Sequence, residues 1–182
     1  NEGEGPDTTP APDAGDDAVP RFSPDGTRIA MLQNQKLRIF DIDGSESTTL
    51  DFKIEGGLIL AISPDGEHLV TGFESDALVF STDGRGEAVR LPGPIHGAVF
   101  SPDGTRIVTR SAGSSARIFR ADGSGEPVNL DGHTGVIHSV AFSPDGSRVV
   151  TASSDGTARI FLADGTGQPV VLDVNRSAAN TS

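Results

Sequence analysis

The 182-residue sequence has no cysteine, no tryptophan and no tyrosine, and only one methionine. Without cysteine there can be no disulfide, no thiolate metal site and no Cys nucleophile. The same lack leans towards a reducing, cytoplasmic setting and leaves a periplasmic or other extracytoplasmic one open. Basic residues are missing from the first 18 positions, which carry Glu2, Glu4, Asp7, Asp13, Asp16 and Asp17. Half of the net charge of -12 therefore sits in that head, and the remaining residues carry -6. A body of that sign repels phosphate backbones at long range, so nucleic acid is not expected as a partner. No apolar run approaches the length of a membrane span and no stretch reads as a signal peptide, so membrane insertion is not expected either. The first residue is Asn1 and not Met. That implies a processed or recombinant product, or a fragment of something longer.

Glycine and proline are plentiful, at 23 and 12 residues. They follow no collagen-type period, which points to a turn-rich all-β chain. Residues 1–18 have almost nothing to bury and cannot offset their ordering entropy, so they are expected to form a disordered acidic linker.

From residue 19 the chain repeats itself. Ser-Pro-Asp-Gly occurs at Ser23, Ser63, Ser101 and Ser143, at spacings of 40, 38 and 42 residues. Each period holds four short runs rich in Val, Ile and Phe, which are too short for helices and suit strands. In the fourth period they are Val136 to Phe142, Arg148 to Ala152, Ala158 to Phe161 and Val170 to Leu172. Turn chemistry separates them. Pro144 presets φ, Asp145 suits the next position, and Gly146 takes the left-handed conformation that closes the hairpin. Asp155-Gly156 and Asp164-Gly165 mark the two following hairpins. A four-stranded meander of this kind has two apolar faces, which stacking around an axis buries. Phenylalanine marks equivalent points: Phe40, Phe80, Phe119 and Phe161 end the third strand, and Phe22, Phe100 and Phe142 end the first. All seven are expected to be packing residues.

Over residues 19–172 the chain resembles the WD40-repeat family. The match is strongest over Asp131-Gly132-His133, Ser139 to Gly146, and Ser153 to Phe161. The resemblance implies an all-β β-propeller of four four-stranded antiparallel WD40-like blades, about residues 19–51, 52–91, 92–130 and 131–172. Residues 173–182 are then a tail or the truncated start of a further blade. Such propellers mostly close with more blades, which implies a partial, open propeller. Apolar faces at its two ends would make self-association of the open arc an expectation.

The family's structural hydrogen-bond network carries over to His133, Ser153 and Asp155. Its fourth member, a Trp, is replaced by Phe161, which has no N–H to donate. The other blades lack more of the network: Gly113 stands where Asp155 stands, and Lys53 where His133 stands. Those blades must rely on packing and backbone ladders. In the family, partners dock on the loops before the first strand and between the second and third. Here that implies Ser75, Pro94, His96, Ala112, Val136, His138 and Ser154.

Sites of chemistry find little support. His133, Ser153 and Asp155 are also a Ser-His-Asp set by type, but no Gly-x-Ser-x-Gly elbow accompanies them. His133, His138 and Asp131 do not make a metal ligand set, since strand positions five apart face opposite ways. Asp41-Ile42-Asp43-Gly44 has its glycine too early for a calcium loop. Gly84-Arg85-Gly86, Gly123-Ser124-Gly125 and Gly165-Thr166-Gly167 lead into strands and not helix N-termini, so they do not cradle phosphate. No catalytic residue, metal or cofactor is expected. Arg28, Arg106 and Arg148 recur two residues after the turn glycine, and Arg38, Arg117 and Arg159 recur before Ile-Phe. Both series read as outward-facing residues that cover the sheets with their stems.

The resulting expectation is a non-catalytic protein–protein interaction scaffold. The phrasing of Ala121 to Val128 is similar to bacterial members, which suggests part of a larger bacterial signalling or scaffold protein. A ligand-sensing or enzymatic propeller is the alternative from another class. Pro20 to Ala30 also resembles the periplasmic propeller of the Tol system, which would keep a binding role and change the compartment.

Overall fold

The computed structural model describes residues 20–33, 36–50, 58–72 and 76–174. The expected linker, the partner-loop candidate Ser75 and most of the expected tail lie outside these residues. Among the described residues there is no helix, and the strands form four four-stranded antiparallel sheets.

The first sheet holds β1 (Arg21–Phe22), β2 (Arg28–Gln33), β3 (Lys36–Asp41) and β4 (Glu46–Leu50). The second holds β5 (Leu58–Ile62), β6 (His68–Gly72), β7 (Ala77–Ser81) and β8 (Val89–Leu91). The third holds β9 (Gly97–Phe100), β10 (Arg106–Arg110), β11 (Ala116–Arg120) and β12 (Val128–Leu130). The fourth holds β13 (Ile137–Phe142), β14 (Arg148–Ser153), β15 (Thr157–Leu162) and β16 (Val170–Asp173). Each sheet is a meander in chain order, and the first strands of neighbouring sheets lie side by side. The sheets are thus blades of an open propeller.

The Ser-Pro-Asp-Gly turns form for local reasons. In each, the serine hydroxyl donates to the aspartate carboxylate at 2.5 Å, and the glycine N–H returns to the serine carbonyl. The same serine oxygen accepts from the residue that opens the second strand, such as Arg148 N at 3.0 Å. Each glycine has φ between 69° and 73°, a conformation costly for any residue with a Cβ.

The core lies between blades. Val108, Ala116, Ile118 and Leu130 of the third blade pack on Ile137, Val140, Val149 and Phe161 of the fourth. Two equivalent clusters join the first blade to the second and the second to the third. The expectation that all seven phenylalanines pack equivalently needs correction. Phe80, Phe100, Phe119 and Phe161 are buried, Phe40 and Phe142 are half-buried, and Phe22 is 64% exposed. Phe22 holds the place of Phe100 and Phe142, which pack against the blade before theirs, and among the described residues no sheet precedes the first.

The first arginine series also departs from expectation. Arg28 Nη1 donates to the Gly66 carbonyl at 3.0 Å and to the Thr82 hydroxyl, both in the second blade. Arg106 Nη2 donates to the Gly146 carbonyl at 2.9 Å in the fourth blade, with its guanidinium 5.6 Å from the centre of the Phe142 ring. These guanidinium groups reach the next blade, where the turn glycine leaves a carbonyl without a strand partner, and Arg28 Nε also lies 3.8 Å from Asp41 of its own blade. The second blade has His68 in this slot.

Candidate functional site

The fourth blade carries the most elaborate polar cluster. His133 sits in the loop before β13, with its side chain wholly enclosed. Its Nδ1 donates to Asp155 Oδ2 at 2.7 Å, and its Nε2 faces Thr151 Oγ1 at 2.7 Å. With the proton on Nδ1, the Thr151 hydroxyl donates to Nε2 and every polar atom of the ring is paired. Asp155 also accepts from Thr134 N at 3.1 Å, from Thr157 N at 2.9 Å and from the Thr157 hydroxyl at 2.7 Å. These donors, the Thr157 hydroxyl foremost, hold its carboxyl far below the ordinary range against the opposing effect of desolvation.

The hydroxyl that meets His133 is thus Thr151, and the expected Ser153 is displaced from that role. Ser153 is two residues further along β14, and its oxygen accepts from Asp155 N at 3.2 Å instead. Strand alternation would allow either residue to share a face with the imidazole, and the turn after β14 takes up Ser153. A signal for Thr151 was present: Thr71 and Thr109 stand at the same place in the second and third blades. Thr71 Oγ1 is buried and has no hydrogen-bond partner among the described residues. Thr109 finds only the Arg117 carbonyl at 3.3 Å.

This cluster cannot work as a nucleophile and base pair. The hydroxyl on His133 belongs to a residue with 0% exposure, so no substrate carbon can reach it. Among the described residues no group of three His, Cys, Asp or Glu side chains converges to hold a metal ion. The ordered geometry closes a loop: it ties residues 133 and 134 to the β14–β15 turn.

Around that tie lies the loop face. Pairing of Gly97 with Arg110 and of Ile137 with Ser153 puts the loop before each first strand beside the loop after each second strand. Pro94, His96, Ala112, Val136, His138 and Ser154 are all exposed there. Ser154 and Val136 are mutually bonded, with Val136 N to Ser154 Oγ and Ser154 N to Val136 O both at 2.9 Å. Ile137 N donates to Gly113 O at 3.0 Å, which joins this face across the third and fourth blades. In the second blade Asp76, absent from the sequence reading, accepts from Gly93 N at 2.8 Å and from Arg90 Nε at 2.7 Å.

Residues 126–161 match the family model described as "WD domain, G-beta repeat". That stretch is a WD40 repeat. It begins beside the last strand of the third blade and ends within the third strand of the fourth, so the WD40 repeat straddles a blade junction. It contains the whole His133, Thr151 and Asp155 cluster and the Arg148 slot. A highly reducing polyketide synthase from Emericella nidulans is 39% identical over 89 residues, which are 49% of this chain and 3% of the synthase. The chain therefore spans only about 3% of the length of that curated relative.

Proposed function

We propose that the chain is a non-catalytic protein-interaction scaffold that presents the loop face of its WD40 blades to a protein partner. The observation that carries this reading is the contrast within the fourth blade. The His133, Thr151 and Asp155 cluster is enclosed and holds the loops in place, while Val136 and His138 beside it stand in solvent. A rigid frame below exposed apolar and imidazole side chains suits recognition of another protein surface. Pro94, His96, Ala112 and Ser154 extend the same patch. We place the parent protein among larger bacterial signalling or scaffold proteins, on the phrasing of Ala121 to Val128. The likeness to part of a fungal polyketide synthase favours a second reading, in which the blades dock components of a multidomain synthase.

The test uses a photo-crosslinking residue at Val136 or His138, and a control at Ser124 on the opposite end of the third blade. A scaffold should give one crosslinked partner from the first two sites, lost on His96→Asp and not from Ser124. Equal capture from both ends would sink the proposal.

A further inference from the structure

A guanidinium bridges the first blade to the second and the third to the fourth. Arg28 donates to the Gly66 carbonyl and the Thr82 hydroxyl, and Arg106 donates to the Gly146 carbonyl. An aspartate of the receiving blade feels each cation. The Ser81 hydroxyl and the Arg85 N–H hold Asp83 below its ordinary value, and the Arg28 guanidinium adds to this from the blade before. Thr166 holds Asp164 down, with a contribution from Arg106.

The junction between the second and third blades repeats the receiving half. Ala121 N donates to Thr105 O at 2.9 Å, as Thr82 N donates to Glu67 O at 2.8 Å and Ala163 N to Ser147 O at 2.9 Å. The Gly104 carbonyl and Asp122 thus hold the places of Gly66 and Asp83. The donating half differs. His68 is shorter than an arginine, and among the described residues no hydrogen bond joins its ring to the third blade. Ala121 stands in the place of Thr82, so no hydroxyl meets the glycine carbonyl. Asp122 is lowered by Ser124 and by Arg120 of its own blade, with no cation reaching it from the second.

A cavity of about 340 Å³ opens at this junction beside His68, a size that suits a small ligand. Val79 and Val89 line it, with Ser81, Glu87 and Asp122. Val79 is buried, whereas Glu87 and Asp122 are exposed. The cavity is therefore apolar within and acidic at its mouth. Arg85 also borders it, but its Nε lies 3.9 Å from Asp83 Oδ2.

We propose that this cavity binds an alkylguanidinium cation, with its fork on the Gly104 carbonyl and the Asp122 carboxylate and its stem along Val79 and Val89. The ligand supplies from outside what Arg28 and Arg106 supply from within at the neighbouring junctions. A planar fork with several donors matches a carbonyl and a carboxylate side by side, which a compact ammonium does not. An anion would meet Glu87 and Asp122 at the mouth. The cation is either a free small molecule or the arginine side chain of a bound polypeptide.

The cavity lies at the turn end of the blades, opposite the loop face, so its failure would leave partner capture through Val136 and His138 unaffected. The test is a titration of the whole chain, followed by backbone amide NMR. Ethylguanidinium should shift the amides of His68, Gly104 and Asp122 saturably, with a dissociation constant on the order of 1 mM. Ethylammonium at the same concentrations should not. His68→Arg places a guanidinium in the slot covalently and should abolish binding. Asp122→Asn keeps an acceptor for Ser124 N, so the thermal transition should be unchanged while the dissociation constant rises about tenfold. An acetylated and amidated Gly-Arg-Gly peptide distinguishes the two sources. Tighter binding than ethylguanidinium assigns the site to a polypeptide arginine, and weaker binding to a free small molecule. No saturable shift, an equal response to ethylammonium, or binding that either variant leaves unchanged would overturn the proposal.

Discussion

Thr151 and His133 meet at 2.7 Å inside the fourth blade, while Thr71, at the same place in the second, is buried without a hydrogen-bond partner among the described residues. One sequence position thus holds a satisfied and an unsatisfied hydroxyl in the same chain. Thr151→Val leaves His133 Nε2 enclosed and unpaired, and should destabilise the fold by about 1–3 kcal/mol. Thr71→Val removes an orphaned group and should be neutral or stabilising. Urea denaturation of the two variants side by side checks the contrast, and equal losses would contradict it.

The junction between the second and third blades has His68 where its neighbours have arginine. His68→Arg should extend a donor to the Gly104 carbonyl and raise stability by about 0.5–1.5 kcal/mol. Arg106→Ala should lower it, and should speed amide exchange in the third and fourth blades first. An unchanged midpoint for both variants would show that the bridging arginines contribute nothing measurable.

Glycines in left-handed turns divide into two kinds. At Gly123 a Cβ would lie 2.4 Å from Val89 of the second blade, and at Gly165 it would lie 2.5 Å from Val128 of the third. At Gly125, with φ of 73°, it would meet nothing within 4 Å. Gly125→Ala should therefore cost only the conformational penalty, about 1 kcal/mol. Gly123→Ala and Gly165→Ala should cost about 1–3 kcal/mol more, because the outer strands must also separate. Thermal melts of the three variants will rank them.

Acid should loosen the turns in a defined window. Serine and backbone donors hold the Asp103 and Asp145 carboxyls down to about 2 from an ordinary 3.8. A carboxyl lowered in the folded state is ionised in both states above its unfolded value, so its full contribution is present there. As the pH falls from about 4 to about 2 the unfolded chain binds protons first, and the contribution is lost. The melting temperature should thus decline over this interval, and Asp145→Asn should shallow the decline. A flat profile down to pH 2 would contradict the turn assignment.

The blades were legible in the sequence because their signals are local. Ser-Pro-Asp-Gly fixes each first hairpin through bonds among six consecutive residues, and runs such as Arg148 to Ala152 are short and rich in residues that suit strands. The junctions were not legible, since Arg28 and Gly66 are 38 residues apart and Arg106 and Gly146 are 40 apart. Repetition of Arg28, Arg106 and Arg148 announced a common slot and did not say whether the side chain lay over its own sheet or the next. Phe22 misled for a related reason: its place in the repeat is that of Phe100, but burial depends on a neighbouring blade that no residue in its own repeat encodes. In the polar cluster, His133 and Asp155 followed from the resemblance to the WD40 family. The choice of Thr151 over Ser153 turned on the bend after β14, which a strand pattern does not resolve.

The arginine-to-glycine reach has a consequence for how such chains change over generations. Apart from the second, which has His68 in the slot, each repeat carries an arginine donor placed for the blade after it and a glycine acceptor placed for the blade before it. A duplicated stretch of about 40 residues therefore arrives with both halves of its seams already written, and a deleted one takes both away. Copy number can drift by whole units without a compensating substitution, while an insertion of half a unit strands a cation and a carbonyl at once.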